Sequence, residues 1–354
     1  MKMIRKAEKK GRYTVRGKSE KKYMSKRAAV YFRLLLALVM IISTFTGCSE
    51  KKQEEETSDA SGKQVVSLAW SNVQDSVSYN STITALEAAG GTVKILDMIK
   101  STDLDYTEDG KLVNAADEHG FLSGEAARLV KENTWHHSNV EEVLGDVDCV
   151  VVPGGWDISP TLYKEPQGWH GIKEDSDFSP ERDVSDYILI SYCLDNDIPM
   201  LCICRGMQML SVVSGGEMVQ DIPKYFSQIG AEYHYEHRDP ERKIFTAHSV
   251  TVSEDSLFYK VVGKKQIENA PSWHHQAVLS VKGTPLSVVG TYDTDGVEMI
   301  EAVENQKLTF CLGVQFHPEV AVAKVLSKSE DAGNYTDYDT SLTFFNAIIE
   351  AGRN

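Results

Sequence analysis

The chain has 354 residues, 42% hydrophobic and 25% charged, with a formal net charge of −15, which excludes a collagen-like, low-complexity or wholly disordered polymer. That average joins two unlike parts. The first 33 residues carry 13 Lys or Arg against Glu8 and Glu20, a balance of +11, so everything after Arg33 sums to −26. A body of that acidity makes nucleic acid an improbable partner.

An unbroken apolar run, Leu34 to Ile42, follows the basic segment and leads into Ser43-Thr44-Phe45-Thr46-Gly47-Cys48. About a dozen apolar residues are too few for a bilayer span of roughly 20. A basic region, a short apolar core and small residues before a cut form the pattern of a secretory signal peptide. Thr46-Gly47-Cys48 resembles a bacterial lipoprotein lipobox, with Phe45 where Leu is usual. The expectation is a signal peptide over residues 1–47, with Cys48 lipidated as the new N-terminus. That makes the protein extracytoplasmic and anchored to the bacterial cell membrane. An uncleaved anchor is the alternative, and it places the body on the same side. After Cys48, the stretch Ser49 to Lys63 has no large apolar residue, so residues 48–63 read as a flexible tether. The folded domain is expected over residues 64–354, a size one α/β domain can fill.

In that body, Val65–Trp70 reads as a strand, Ser78–Ala89 as a helix ended by Gly90-Gly91, and Thr92–Leu96 as a second strand. Tyr106–Gly145 is polar and reads as an insertion with a helix near Glu125–Glu132. Asp148–Val152 is a continuous apolar run before Pro153-Gly154-Gly155, as in a parallel strand buried on both faces. Ser179-Pro180-Glu181 supplies an N-cap, a proline at the first helical position and an acidic first turn for a helix to about Leu194. A strand Ile198–Ile203, a tight turn at Cys204 and a helix Gly206–Val213 come next. This alternation predicts an α/β fold with a doubly wound, mostly parallel sheet. His248–Val252, Leu286–Tyr292, Val297–Glu301 and Leu308–Phe316 read as an antiparallel extension. The loops bearing Trp135-His136-His137 and Trp169-His170 are read as capping the sheet in preference to lining a cleft.

The chemistry concentrates at Cys202-Ile203-Cys204-Arg205-Gly206, where a buried strand enters a helix through one residue. This is the pattern of a strained nucleophile elbow with Cys as nucleophile, and it needs small residues two positions to either side. Gly206 and Cys202 fill those positions, and the helix N-terminus after Cys204 favours the reactive thiolate. Such a nucleophile requires a base and an orienting group. His317-Pro318-Glu319 at the end of the last strand offers both.

With those pieces in view, the body resembles the gamma-glutamyl hydrolases of the class I glutamine amidotransferase-like proteins, the group that includes gamma-glutamyl-gamma-aminobutyrate hydrolase. The resemblance rests on VVPGGWDISPTLY at Val151–Tyr163, PERDVSDYILI at Pro180–Ile190 and IPMLCICRGMQMLSVVSGGEMVQDIP at Ile198–Pro223. AHSV at Ala247–Val250, SWHHQAV at Ser272–Val278, VEMIEAVE at Val297–Glu304 and GVQFHPE at Gly313–Glu319 continue it. It implies a flavodoxin-like fold and a triad of Cys204, His317 and Glu319. Cys204 would attack a gamma-glutamyl carbonyl, His317 would carry the proton and Glu319 would fix the imidazole. The backbone N–H groups of Gly155 and Arg205 would hold the oxyanion. Gln208, His274 and Gln276 would stand near the cleft. Arg182 would bind a substrate carboxylate or pair with Asp183 or Asp186. Water would then release glutamate from a thioester, with no metal or organic cofactor. Ser211 stands where many relatives have Asn.

Cys149, Cys193, Cys202 and Cys311 read as buried thiols, Cys202 pointing the same way as Cys204 two residues on. Cys-x-x-Cys and His-Glu-x-x-His are absent, so no metal is expected at His234-Tyr-Glu-His237 or His274-His275. The expected partners are a small gamma-glutamyl substrate and the membrane through the lipid anchor, with a homodimer left open. Two rivals use the same motifs: a glutaminase subunit of an amidotransferase, and a catalytically inactive gamma-glutamyl-binding lipoprotein.

Overall fold

A computed structural model of the chain describes residues 63–172 and 177–353. The expected signal peptide, Cys48 and almost all of the tether lie outside the described residues. Within them, no helix is long and apolar enough to cross a membrane.

Among the described residues eleven strands are formed: β1 (Val65–Leu68), β2 (Thr92–Ile95), β3 (Val150–Val152), β4 (Met200–Ile203), β5 (Glu217–Val219), β6 (Thr246–Val252), β7 (Gln266–Ser272), β8 (Ala277–Ser280), β9 (Ser287–Thr294), β10 (Val297–Glu304) and β11 (Cys311–Val314). Nine of them make one sheet in the order β2-β1-β3-β4-β11-β10-β9-β6-β7, and β5 pairs with β8 apart from it. From β2 to β11 every neighbour is parallel, and from β11 to β7 every pairing is antiparallel. The fold is therefore α/β, a parallel sheet with an antiparallel extension. β11 departs from its expected place in that extension. It is the seam, parallel to β4 on one side and antiparallel to β10 on the other.

The continuous apolar strands behave as their sequence demands. Val150, Val151 and Val152 are all fully buried, because β3 has a parallel neighbour on each edge and helices cover both faces. Residues on the two faces feed two separate cores. One core joins Val150, Val152, Met200 and Cys202 to the helix Pro180–Asp195. The other joins Val151, Leu201 and Ile203 to the helices Val77–Ala88 and Tyr338–Ala351. Burial of both faces by helices is what sets the parallel strands rigidly, so that the loops at their C-terminal ends are held in place.

Local chemistry explains some ends and not others. Ser76 caps the helix Val77–Ala88 by accepting from the Tyr79 N–H. Ser179 stands at the N-cap of the helix Pro180–Asp195, but its hydroxyl makes no capping bond and is buried without a partner. β7 escaped the sequence reading because it is polar and contains Pro271. It lies at the edge of the sheet, where a missing N–H is tolerated. The insertion contributes the helix Gly124–Asn133, whose Ala126, Ala127 and Val130 join the first core. Trp135 donates to Asp195 (2.8 Å) and packs edge-on against Tyr192, capping a helix end away from the cleft.

Candidate active site

The parallel sheet ends at Cys204, where the backbone adopts φ 51° and ψ −106°. A non-glycine residue rarely takes this conformation, and it persists only where the surroundings impose it. They do so here through Gly206, since a Cβ at that position would run into the carbonyl oxygen of Val152 on β3. The turn also reverses the expected relation between two cysteines. Alternation along a strand would put Cys202 and Cys204 on one face. The left-handed step instead sends Cys204 into the second core while Cys202 lies in the first, so the two thiols point to opposite faces of the sheet. Burial pushes the Cys202 thiol well above its ordinary range, and it is chemically inert.

His317 ends the segment after β11 and is fixed by its backbone N–H, which donates to Pro271 O on β7 (2.8 Å). Its Nδ1 donates to Glu319 Oε1 at 2.6 Å. This leaves Nε2 for Cys204, and Nε2 makes no hydrogen bond to another group. Burial alone would drive the imidazole pKa down, but the negative charges of Cys204 and Glu319 overcome it and hold His317 up at about 10. Phe245 packs edge-on over the ring with centroids 5.1 Å apart, which keeps water from that side.

A residue that sequence reasoning missed completes this group. Ser78, in the first turn of the helix Val77–Ala88, donates to Glu319 Oε1 at 2.8 Å. It holds the same carboxylate oxygen that His317 binds, its hydroxyl 3.5 Å from His317 Nδ1, and nothing local in its sequence marks it for this task.

The Pro153-Gly154-Gly155 turn stands beside Cys204 and is held by a buried ion cluster. Arg182 donates through Nη2 to the carbonyl oxygens of Pro153 and Gly154, both at 2.9 Å, and through Nε to Asp186 at 3.2 Å. Arg205 bridges Asp186 and Asp183, reaching Asp183 Oδ1 at 2.6 Å. All four side chains are buried. Burial lowers the Arg182 guanidinium to about 10, with Asp186 opposing that loss. A Cβ on Gly155 would strike the Arg182 guanidinium, which explains glycine there. Arg182, left between a substrate carboxylate and Asp183 or Asp186, is thus placed on Asp186 and the turn, and is removed from the substrate-contact set. The Arg205 side chain is equally occupied. Its backbone N–H opens a helix and so has no intrahelical acceptor.

A cleft opens over Cys204, lined among others by Gly155, Asp157, Gln208, Arg238, His275 and Gln276. Gln208 and Gln276 lie in its wall but are committed to it. Gln208 donates to Gln276 O (2.9 Å) and Gln315 Oε1 (3.2 Å), while Gln276 accepts from Ile158 N (3.0 Å) and donates to Tyr163 Oη (3.2 Å). The cations of the cleft are two residues that the sequence reading did not single out for this role. Arg238 lies over the Trp273 ring at 5.4 Å. His275 donates to Asp157 (2.9 Å) and Asp221 (3.3 Å). Burial works against its charge, but the two carboxylates raise it to about 9, so it is an imidazolium at neutral pH. Ser211 only bonds back to Met207 O within its own helix.

The ring nitrogens of His274 point away from Cys204. Its Nδ1 donates to Gln276 O (2.8 Å), and its Nε2 enters a buried cluster with His237, His248 and Glu301. Desolvation pushes His237 down to about 4, His248 down, His274 well down and Glu301 up to about 7.

Residues 125–319 match the Peptidase C26 family. The chain is similar to Protein NtpR of Enterococcus hirae, at 34% identity over 191 residues that cover 54% of this chain and 73% of that protein. It is also similar to the gamma-glutamyl-gamma-aminobutyrate hydrolase of Escherichia coli O157:H7, at 32% identity over 188 residues, 51% of this chain and 68% of that protein.

Removing one member of the buried ion cluster leaves its partners charged and unpaired. Asp186→Ala is expected to lower the unfolding free energy by about 3–5 kcal/mol in urea titration. A loss below about 1 kcal/mol would mean the two arginines are satisfied without it.

Proposed function

The chain belongs to the Peptidase C26 family, and on that premise we propose that it is a cysteine hydrolase of gamma-glutamyl amide or peptide bonds. The observation that carries this reading is His317, bonded through Nδ1 to Glu319 at 2.6 Å and held as an imidazolium beside Cys204. Thiolate and imidazolium form the ion pair from which thiol attack begins.

In the proposed cycle, Cys204 Sγ attacks the gamma-carbonyl carbon. The carbonyl oxygen gathers charge against the N–H groups of Gly155 and Arg205. His317 Nε2 then gives its proton to the leaving nitrogen, the amine departs and a glutamyl thioester remains on Cys204. Neutral His317 next takes a proton from water, which attacks the thioester and frees glutamate and the Cys204 thiolate. Glu319, steadied by Ser78, holds the ring in one orientation through both halves. The glutamyl end carries a carboxylate and an ammonium, and the cleft answers with Arg238 for the first and Asp177 for the second, while His275 and Asp157 are bonded to each other in its wall. Gamma-aminobutyrate, a polyamine, a folate polyglutamate tail and a gamma-linked cell-wall peptide are the candidate leaving groups.

We also propose that the basic leader exports this body and that a lipid on Cys48 holds it at the membrane. The support is the charge pattern and the Thr46-Gly47-Cys48 sequence.

Against a panel of gamma-glutamyl amides assayed for released glutamate, Cys204→Ala should lose roughly 10⁴-fold or more of kcat/KM while keeping its circular dichroism. Undiminished turnover in that variant ends the assignment of the nucleophile. Binding without turnover in the wild-type protein would favour the inactive binder, and turnover seen only with a co-purifying synthetase would favour the glutaminase subunit.

The pH profile tests the base. His317 is raised by its anionic neighbours, so the ion pair persists below about 10 and activity falls as pH rises through that value. Glu319→Gln removes one of those anions, so the alkaline limb should move down by about one unit or more. An unmoved limb would mean that Glu319 does not act on His317.

The anchor is tested by expression in a bacterium with labelled fatty acid. The wild-type protein should take up label and sediment with membranes, and Cys48→Ala should do neither. A mature protein that keeps its basic N-terminus would refute the cleavage.

A further inference from the structure

We propose that His237, His248, His274 and Glu301 form a closed, tetrahedral zinc site behind the wall of the active-site cleft. The four come from different elements: His237 from the loop before β6, His248 from β6, His274 from the turn after β7, and Glu301 from β10. One candidate ligand atom from each lies within 4.8 Å of all the others, and all four residues are buried. His237 Nδ1 is 3.2 Å from Glu301 Oε1, His248 Nε2 is 3.8 Å from Oε2, and His274 Nε2 is 3.9 Å from Oε1. Zinc bonded to nitrogen and oxygen at about 2.0–2.1 Å sets neighbouring ligand atoms about 3.3–3.4 Å apart. Ligand atoms as much as 4.8 Å apart close by up to about 1.4 Å to bring four donors onto one ion.

The hydrogen bonding points the same way. Both ring nitrogens of His237, Nε2 of His248, Nε2 of His274 and both oxygens of Glu301 are buried with no hydrogen-bond partner. Six such atoms in one place are far outside the usual pattern for a protein interior, where buried polar atoms are paired. Their environment also selects the form that binds metal. His248 Nδ1 donates to Ser249 O (3.1 Å) and His274 Nδ1 to Gln276 O (2.8 Å), which puts a lone pair on each Nε2 facing the cluster. Anchoring of the non-ligating nitrogen on a backbone carbonyl is how proteins orient histidine ligands. Glu301 stands at a register shift in the β9–β10 pairing, between Ile300 and Ala302, and such irregularities re-aim side chains.

Three imidazoles and one carboxylate suit a borderline cation, and four protein ligands leave no open position, as in structural sites. The ion takes no part in the thiol chemistry. It fastens His274, and with it the turn carrying His275 and Gln276, to the antiparallel half of the sheet.

The full chain, stripped by chelator dialysis and then given Zn²⁺, should retain close to one zinc per chain after gel filtration, measured by inductively coupled plasma mass spectrometry. Its thermal midpoint should rise on loading. Co²⁺ in the same site should show the strong visible bands of a tetrahedral ion without the near-ultraviolet band of a cobalt–thiolate bond. Glu301→Gln and His248→Ala should lose the tightly held ion, whereas His234→Ala, at an exposed histidine of the same segment, should keep it. Retention below about a tenth of an equivalent by the wild-type chain, a thiolate band with cobalt, or unaltered binding in Glu301→Gln would each overturn the site. The wild-type stoichiometry and cobalt spectrum decide the matter even if a variant fails to fold.

Discussion

The left-handed backbone at Cys204 is the constraint to which the rest of the site is fitted. A residue at φ 51° directly after a buried strand is unfavourable by itself, of order 1–3 kcal/mol. It is held by packing on every side. Gly206 lets the helix that follows press against Val152 O. That contact requires β3 and β4 to run parallel and in register, Val152 opposite Cys202. The same pairing places the Pro153-Gly154-Gly155 turn beside the thiol, and Arg182 ties the turn to the helix Pro180–Asp195. The strained residue, the close glycine and the ion cluster are thus one mechanical unit.

Electrostatics inside this unit oppose those of the whole molecule. The segment after Arg33 carries −26, yet the atoms around Cys204 are arranged to favour negative charge there. His317 supplies a cation and a helix begins at Arg205, while farther out in the cleft Arg238 and His275 stand beside Asp157 and Asp177. At close range and low dielectric these local charges outweigh distant surface acids, which salt screens.

Much of this was legible in the chain itself. Strands such as Val150–Val152 announced themselves because burial on both faces requires an unbroken apolar run. Cys204, His317 and Glu319 stood out because elbow and strand-end chemistry leave short local signatures. What stayed hidden depends on meetings between distant segments. Ser78 reaches Glu319 across 241 positions, and Asp157 reaches His275 across 118. The three histidines around Glu301 have no common spacing. Cys202 was misjudged for a different reason: alternation predicts its direction correctly, but the reversal at the next turn belongs to Cys204. Arg182 and Arg205 drew attention as cations near Cys204, yet burial forces such groups onto carboxylates.

The separation of Cys202 from Cys204 has a redox consequence. A thiolate oxidised to the sulfenic acid is usually rescued by a neighbouring thiol that condenses to a disulfide. Among the described residues, Cys193, Cys202 and Cys311 belong to the core on the opposite face of the sheet. Cys149, on the same face as Cys204, lies at the other end of the strands against Gly352. An oxidised Cys204 therefore has no resolving partner among them, and its recovery depends on a small thiol small enough to enter the cleft.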